Sequence, residues 1–248
     1  MTLEQFFAEN REVAIAFSGG VDSAYLLYAA TRYAARVKAY YVSTAFQPKF
    51  ELEDARRLAN ELGADMQVLH VDVLMSGAVV ANPPDRCYHC KNTLFRQILR
   101  AAENDGFPVL LDGTNASDDA GDRPGMRALR ELSVRSPLRE CGLTKAEIRR
   151  LSREAGLFTW DKPAYACLAT RIRTGEEITL QKLKQTEKAE GFLFGLGFRD
   201  FRVRMVDNTA KLELRETDLP LLLENREKIV TELRKDYDSV LLNLEVRK

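Results

Sequence analysis

The sequence has no surplus of either charge: 37 Lys and Arg face 37 Asp and Glu, a formal net charge of zero. That removes the global electrostatic case for a nucleic acid or a membrane surface as the main partner. No apolar run approaches the roughly 18 residues that a bilayer span needs. The first residues, MTLEQFFAENREVA, lack the basic segment and apolar stretch of a secretory signal. A cytoplasmic protein is therefore expected. Cysteine is scarce, at four residues. In a reducing compartment a close cysteine pair reads as metal-binding or catalytic before it reads as a structural disulfide. Internal repeats, low-complexity tracts and the nucleotide-binding pattern GxxxxGK[ST] are all missing.

What is present is an alternation. Apolar runs at 12–17 (EVAIAF), 37–42 (VKAYYV), 66–73 (MQVLHVDV) and 108–112 (PVLLD) read as buried parallel strands. Between them, 22–35, 51–62 and 91–102 read as helices. In the second of these Leu52, Ala55, Leu58, Ala59 and Leu62 share a face, and Gly63 stops it. Strands alternating with helices predict an α/β domain with a parallel sheet covered on both faces. A polar, Gly-rich loop is expected over 113–127. Thr144 and Glu147 form a capping-box pair opening a helix over 144–155. Residues 158–175 look irregular. Helices near 179–193 and 219–235 and strands at 201–206, 211–215 and 239–246 predict a smaller α+β unit. The expected division is 1–160 for nucleotide binding and 161–248 for substrate binding and oligomerisation.

The chemistry starts at Ser18-Gly19-Gly20-Val21-Asp22-Ser23, between the first strand and the first helix. Glycines let backbone N–H groups approach a ligand. The helix N-terminus adds free donors and partial positive charge, which makes an anion cradle. Ser18 and Ser23 add hydroxyls. Asp22 repels phosphate unless a cation intervenes, which implies Mg²⁺. Thr44 and Phe46 follow the second strand, where an adenine would sit outside the carboxyl ends of a parallel sheet. Cys87 and Cys90 stand three apart in PDRCYHCK, and Cys167 lies about eighty residues on. The pair alone reads as a redox couple ahead of a helix, as part of a zinc site completed by Cys141 or His89, or as two legs of an iron–sulfur site. His70, inside the third apolar run, is expected in the core. Arg202 and Arg204 alternate on one strand and so share a face, fit to clamp a phosphate. Arg171 and Arg173 follow Cys167 and would steer an anionic substrate.

The SGGxDS form resembles the PP-loop ATP pyrophosphatases, which cleave ATP between its α and β phosphates and adenylate a substrate. Further blocks sharpen the resemblance: Asp112-Gly113-Thr114-Asn115, Asp118-Asp119, Arg123-Pro124-Gly125, Ser136-Pro137-Leu138, LTKAEIR (143–149), TWDKPA (159–164), ACLATRI (166–172) and FRVR (201–204). Together they resemble the LarE-type sulfur transferases along nearly the whole chain. Thr170 and the run Arg173-Thr174-Gly175 depart from the usual family form. The resemblance implies ATP and Mg²⁺ as cofactors and a homo-oligomer. It also implies adenylation of a carboxylate of pyridinium-3,5-biscarboxylic acid mononucleotide, then sulfur insertion, on the way to a nickel-pincer nucleotide cofactor. Gly113, Thr114 and Asn115 are implied in ATP binding, and Arg171, Arg202 and Arg204 in substrate binding. Glu190 and Glu213 fall near metal-binding carboxylates of the family. The expected sulfur carrier is a [4Fe-4S] cluster on Cys87, Cys90 and Cys167, fed by sulfide or another donor; the alternative is Cys167 giving up its own sulfur. A tRNA-thiolating PP-loop enzyme, an amide-forming ligase of the NAD or GMP synthetase kind and a non-enzymatic scaffold are the competing readings.

Overall fold

In the computed structural model, which describes residues 1–118 and 124–247, the first apolar run becomes β1 (Glu12–Ala16). Asp119 and Arg123 of the quoted motifs lie outside the described residues. Before β1 stands α1 (Leu3–Glu9), opened by a capping box of Thr2 and Gln5. β1 pairs in parallel with β2 (Arg36–Ser43) on one side and β4 (Val109–Leu111) on the other. β3 (Asp65–His70) flanks β2, so the order is β3-β2-β1-β4. Alternate β1 residues serve two cores. Val13 and Ile15 enter a cluster with Leu26, Leu27 and Leu58, whereas Ala14 joins Tyr40, Ile98 and Ala102 on the opposite face. A strand buried on both faces must be apolar throughout, which is why EVAIAF does not alternate.

Helices α2 (Val21–Tyr33) and α3 (Lys49–Leu62) follow β1 and β2. Gly63 closes α3 at φ +62°, as its position predicts. Helix α4 (Arg86–Asn104) starts five residues before its apolar periodicity does, so Cys87 and Cys90 lie inside it. Two sequence expectations need correction. His70 is exposed, because β3 is an edge strand and His70 is its last residue. The loop expected to run to residue 127 gives way to α5 (Pro124–Glu131), where Pro124 suits a helix start because it needs no donor there. Helix α6 (Lys145–Glu154) carries the expected Thr144–Glu147 capping box.

The chain divides into two compact units, Met1–Val73 with Asp85–Ala164, and Leu74–Pro84 with Tyr165–Lys248. In the second, α7 (Leu180–Gly195) accompanies a sheet ordered β5-β6-β7, namely β5 (Arg202–Val206), β6 (Thr209–Glu213) and β7 (Ser239–Leu242). β5 and β6 are antiparallel, and β6 and β7 are parallel. Leu193, Phe198, Phe201, Val203, Met205, Leu212, Ile229 and Leu233 form its core. Among the described residues, no helix is long and apolar enough to cross a membrane.

Candidate active site

The chain runs from β1 outward to β2 and β3, then returns to the other side of β1 as β4. Such a reversal opens a crevice at the carboxyl ends of the strands, where α/β proteins bind ligands. Two segments meet there: the loop after β1 and the residues after β4. Gly19 has φ +74°, and a Cβ on it would come within 3.2 Å of the Ala55 Cβ. Glycine is therefore required twice over, by backbone angle and by space. The two serines differ in role. Ser23 is buried and donates its hydroxyl to the Gly20 carbonyl at 3.2 Å, while its Oγ accepts from the Ser18 N–H at 3.3 Å. It shapes the loop. Ser18 is exposed, with its Oγ 3.1 Å from that of Ser23, and is the hydroxyl open to a ligand. Val21 and Asp22 form the first turn of α2 after Gly20 at the cap.

Asp22 already faces a cation. Its Oδ2 lies 2.5 Å from the Lys145 Nζ, and its Oδ1 accepts from Asn115 Nδ2 at 3.3 Å. Sequence reasoning quoted Lys145 within a motif but assigned it no role. The one local signal is its place as the first residue after the Thr144 cap. A chain of short-range bonds holds this corner: Asn115 N–H donates to Asp118 Oδ2 (2.8 Å), Ser117 N–H to Asn115 Oδ1 (2.8 Å) and Lys145 N–H to Ser117 Oγ (2.9 Å). Asp112 is buried and accepts from Ser136 Oγ at 2.6 Å and from the Thr114 hydroxyl.

Gly113 sits against the loop so closely that a Cβ would stand 2.9 Å from Ser23 N and 3.2 Å from its Cα. Both are backbone atoms at the start of α2. Gly113→Ala should thus push the cradle open at a cost of about 1–3 kcal/mol. We expect nucleotide affinity, read by calorimetry, to fall at least about tenfold for each 1.4 kcal/mol lost from binding. Thr44 and Phe46 form a turn after β2. Gln47 Oε1 accepts from the Thr44 N–H (3.1 Å) and hydroxyl (2.7 Å), and Phe46 is 2% exposed. The ring is thus part of the turn's packing.

The expected three-cysteine [4Fe-4S] centre is corrected by the structure. Among the described residues, no group of three or more His, Cys, Asp or Glu could hold a metal. Residues three apart share a helical face, so α4 brings Cys87 and Cys90 together but supplies only two ligands. Cys167 belongs to the other unit. His89 turns its Nε2 to Asp85 Oδ2 at 3.4 Å. Cys141 packs against the first unit's core, where burial pushes its thiol pKa up. The same finding removes zinc on these groups.

Cys167 stands at the start of a short 3-10 turn, Leu168–Arg171, in the second unit. Arg171 and Glu190 are each 1% exposed. Arg171 Nε and Nη2 donate to Glu190 Oε1 (2.7 Å) and Oε2 (3.1 Å). Tyr165 OH also donates to Glu190 Oε2, and the Val203 N–H donates to Oε1 at 2.9 Å. The carboxylate expected near a metal is therefore saturated by four protein donors. Burial, then the Glu190 charge beside it, hold the Tyr165 phenol far above its usual range. Arg202 is 6% exposed, and burial followed by the neighbouring Arg171 lowers its guanidinium pKa. Arg204 donates from Nε to Glu213 Oε1 and from Nη1 to the Thr170 carbonyl, both at 2.7 Å. Arg173 is exposed.

Residues 4–118 match the family model described as asparagine synthase. The chain is 39% identical to the uncharacterized protein slr1717 of Synechocystis sp., over 86% of this chain and 80% of that protein. It is 34% identical to the pyridinium-3,5-bisthiocarboxylic acid mononucleotide synthase of Lactiplantibacillus plantarum, over 87% and 79%. To the uncharacterized protein MJ0830 of Methanocaldococcus jannaschii it is 31% identical, over 96% and 91%. With its loop, sheet and sequence so related, this ATP-using chain belongs to the family of LarE-type sulfurtransferases within the PP-loop ATP pyrophosphatases.

Proposed function

We propose that the protein adenylates a carboxylate of pyridinium-3,5-biscarboxylic acid mononucleotide and replaces the activated oxygen with sulfur from Cys167. The observation that carries this is the preformed anion cradle with Asp22 held against a cation, in a chain 34% identical to a synthase of the bisthiocarboxylic nucleotide. Mg²⁺ fits the donor set. Asp22 offers one carboxylate, and Mg²⁺ takes one or two carboxylates together with phosphate oxygens. When bound, Mg²⁺ would neutralise phosphate charge beside Asp22. The loop N–H groups and the Ser18 hydroxyl bind the phosphates that leave as pyrophosphate.

The carboxylate oxygen attacks the α-phosphorus of ATP and pyrophosphate departs, leaving an acyl adenylate. The Cys167 thiolate attacks the acyl carbon and expels AMP, which gives a thioester. Loss of the Cys167 α-proton breaks its Cβ–S bond. The products are a thiocarboxylate and a dehydroalanine at position 167, so each chain acts once. Arg202 and Arg204 are proposed to face the substrate phosphate.

The test is one turnover with MgATP and the biscarboxylic nucleotide. It should yield thiocarboxylate, AMP and pyrophosphate, and lighten the Cys167 peptide by about 34 Da, the mass of H₂S. Thiocarboxylate formed with Cys167 intact would show another sulfur source and end this reading. Thiolation of a tRNA transcript without any thiocarboxylate product would replace the substrate class.

A further inference from the structure

We infer that Arg171, locked in place by Glu190 and Tyr165, is the positioning residue for the Cys167 nucleophile. The inference rests on Cys167 as sulfur donor. Its ground is how the guanidinium donors are spent. Two hold Glu190, and Nη1 turns back to the Ala166 carbonyl (3.0 Å) and the Thr170 Oγ1 (2.8 Å). Thr170 in turn donates its hydroxyl (2.8 Å) and its N–H (2.9 Å) to the Cys167 carbonyl. The peptide groups on both sides of Cys167 are thus tied to one buried guanidinium. Arg204, through the Thr170 carbonyl, ties the same turn to β5.

A buried ion pair is a poor way to gain stability, since apolar residues of similar volume often do as well. The directional value is different. A nucleophile displaced by about 1 Å costs on the order of 10²-fold in rate. Among the described residues, the charges around this turn are Arg171, Arg202, Arg204 and Arg247 against Glu190, Glu213 and Asp200, with the neutral Tyr165 phenol in contact with Arg171 and Arg202. Arg171 and a Cys167 thiolate attract each other. A cation beside a thiol favours its thiolate.

The experiment reads Cys167 directly, by peptide-level mass spectrometry of iodoacetamide alkylation from pH 5 to 10, with neither ATP nor nucleotide present. Arg171→Met should move the midpoint at Cys167 upward by about one pH unit. Arg171→Lys, which keeps the charge, should hold it near wild type. In single turnover, Arg171→Met should slow thiocarboxylate formation at least about tenfold more than pyrophosphate release. Because Arg171→Met strands a buried carboxylate, the paired Arg171→Met/Glu190→Met variant removes both charges. With the fold kept by circular dichroism it should show the same selective slowing of thiocarboxylate formation, while its midpoint moves less because losing the Glu190 charge acts in the opposite direction. Thiocarboxylate formation at the wild-type rate in the folded paired variant overturns the inference. Failure of Cys167 as donor would appear separately, as turnover without mass loss.

Discussion

Asp22→Asn should slow pyrophosphate release by about 10²–10³-fold, the usual effect of removing one placed electrostatic group. Asp22 lies in the first turn of α2, where a carboxylate is favoured by the helix dipole but competes with phosphate for the same positive end. It can serve ATP only through a cation. In the free protein that cation is Lys145 at 2.5 Å. Asparagine keeps the size and can still accept from Asn115, so the loop should stay folded. The substitution also carries a sign that activity alone would not show. Without Mg²⁺ a negative charge has been removed from the cradle, so ADP binding should hold or tighten; with Mg²⁺ it should weaken. Calorimetry with and without the metal reads both. Weaker binding in both conditions would mean that Asp22 shapes the loop and does not face the metal.

Glu190→Ala and Glu213→Ala make the second comparison. The two glutamates share a sequence expectation, and both accept from arginine. Burial separates them. Removing Glu190 leaves Arg171 buried without its counter-charge and frees the Tyr165 and Val203 donors, an expected loss of about 3–5 kcal/mol. At about 2–4 °C per kcal/mol for a chain of this size, the melting temperature should fall by roughly 6–20 °C. Glu213 pairs with Arg204, whose side chain is 42% exposed, and its loss should cost under about 1 kcal/mol. Equal losses in thermal unfolding would refute the assignment of the Arg171–Glu190 pair as the buried clasp. Neither change should alter the Mg²⁺ dependence of pyrophosphate release, because arginine occupies both carboxylates.

Much of the first unit was legible because its signals are local. The apolar run of β1, the glycine stop of α3 and the capping box of α6 each act within a few residues. The corrections arise where a position depends on distant neighbours or carries no local signal. His70 looked like a core residue because MQVLHVDV is apolar; nothing in that run says that β3 is the edge of the sheet. The start of α4 was missed because RCYHC carries no apolar stripe. Arg171, expected from its place after Cys167 to steer an anionic substrate, is buried, and arginine is seldom fully buried without a partner. Its partner lies nineteen residues away on another helix.

By itself, the sequence determined the kind of chemistry and the order of the elements. The glycine-rich turn after a buried strand, the acid at a helix start and the alternation of strands with helices all follow from backbone sterics and side-chain period. Tertiary structure alone decided which charges meet. It set Lys145 on Asp22 across 123 residues, pressed Gly113 against the Ser23 backbone, and sank Arg171 and Glu190 out of water. It also decided that two cysteines on one helical face do not make a three-ligand centre. Convergence of ligands is a property of packing in three dimensions, and residue spacing along one helix specifies only the first pair.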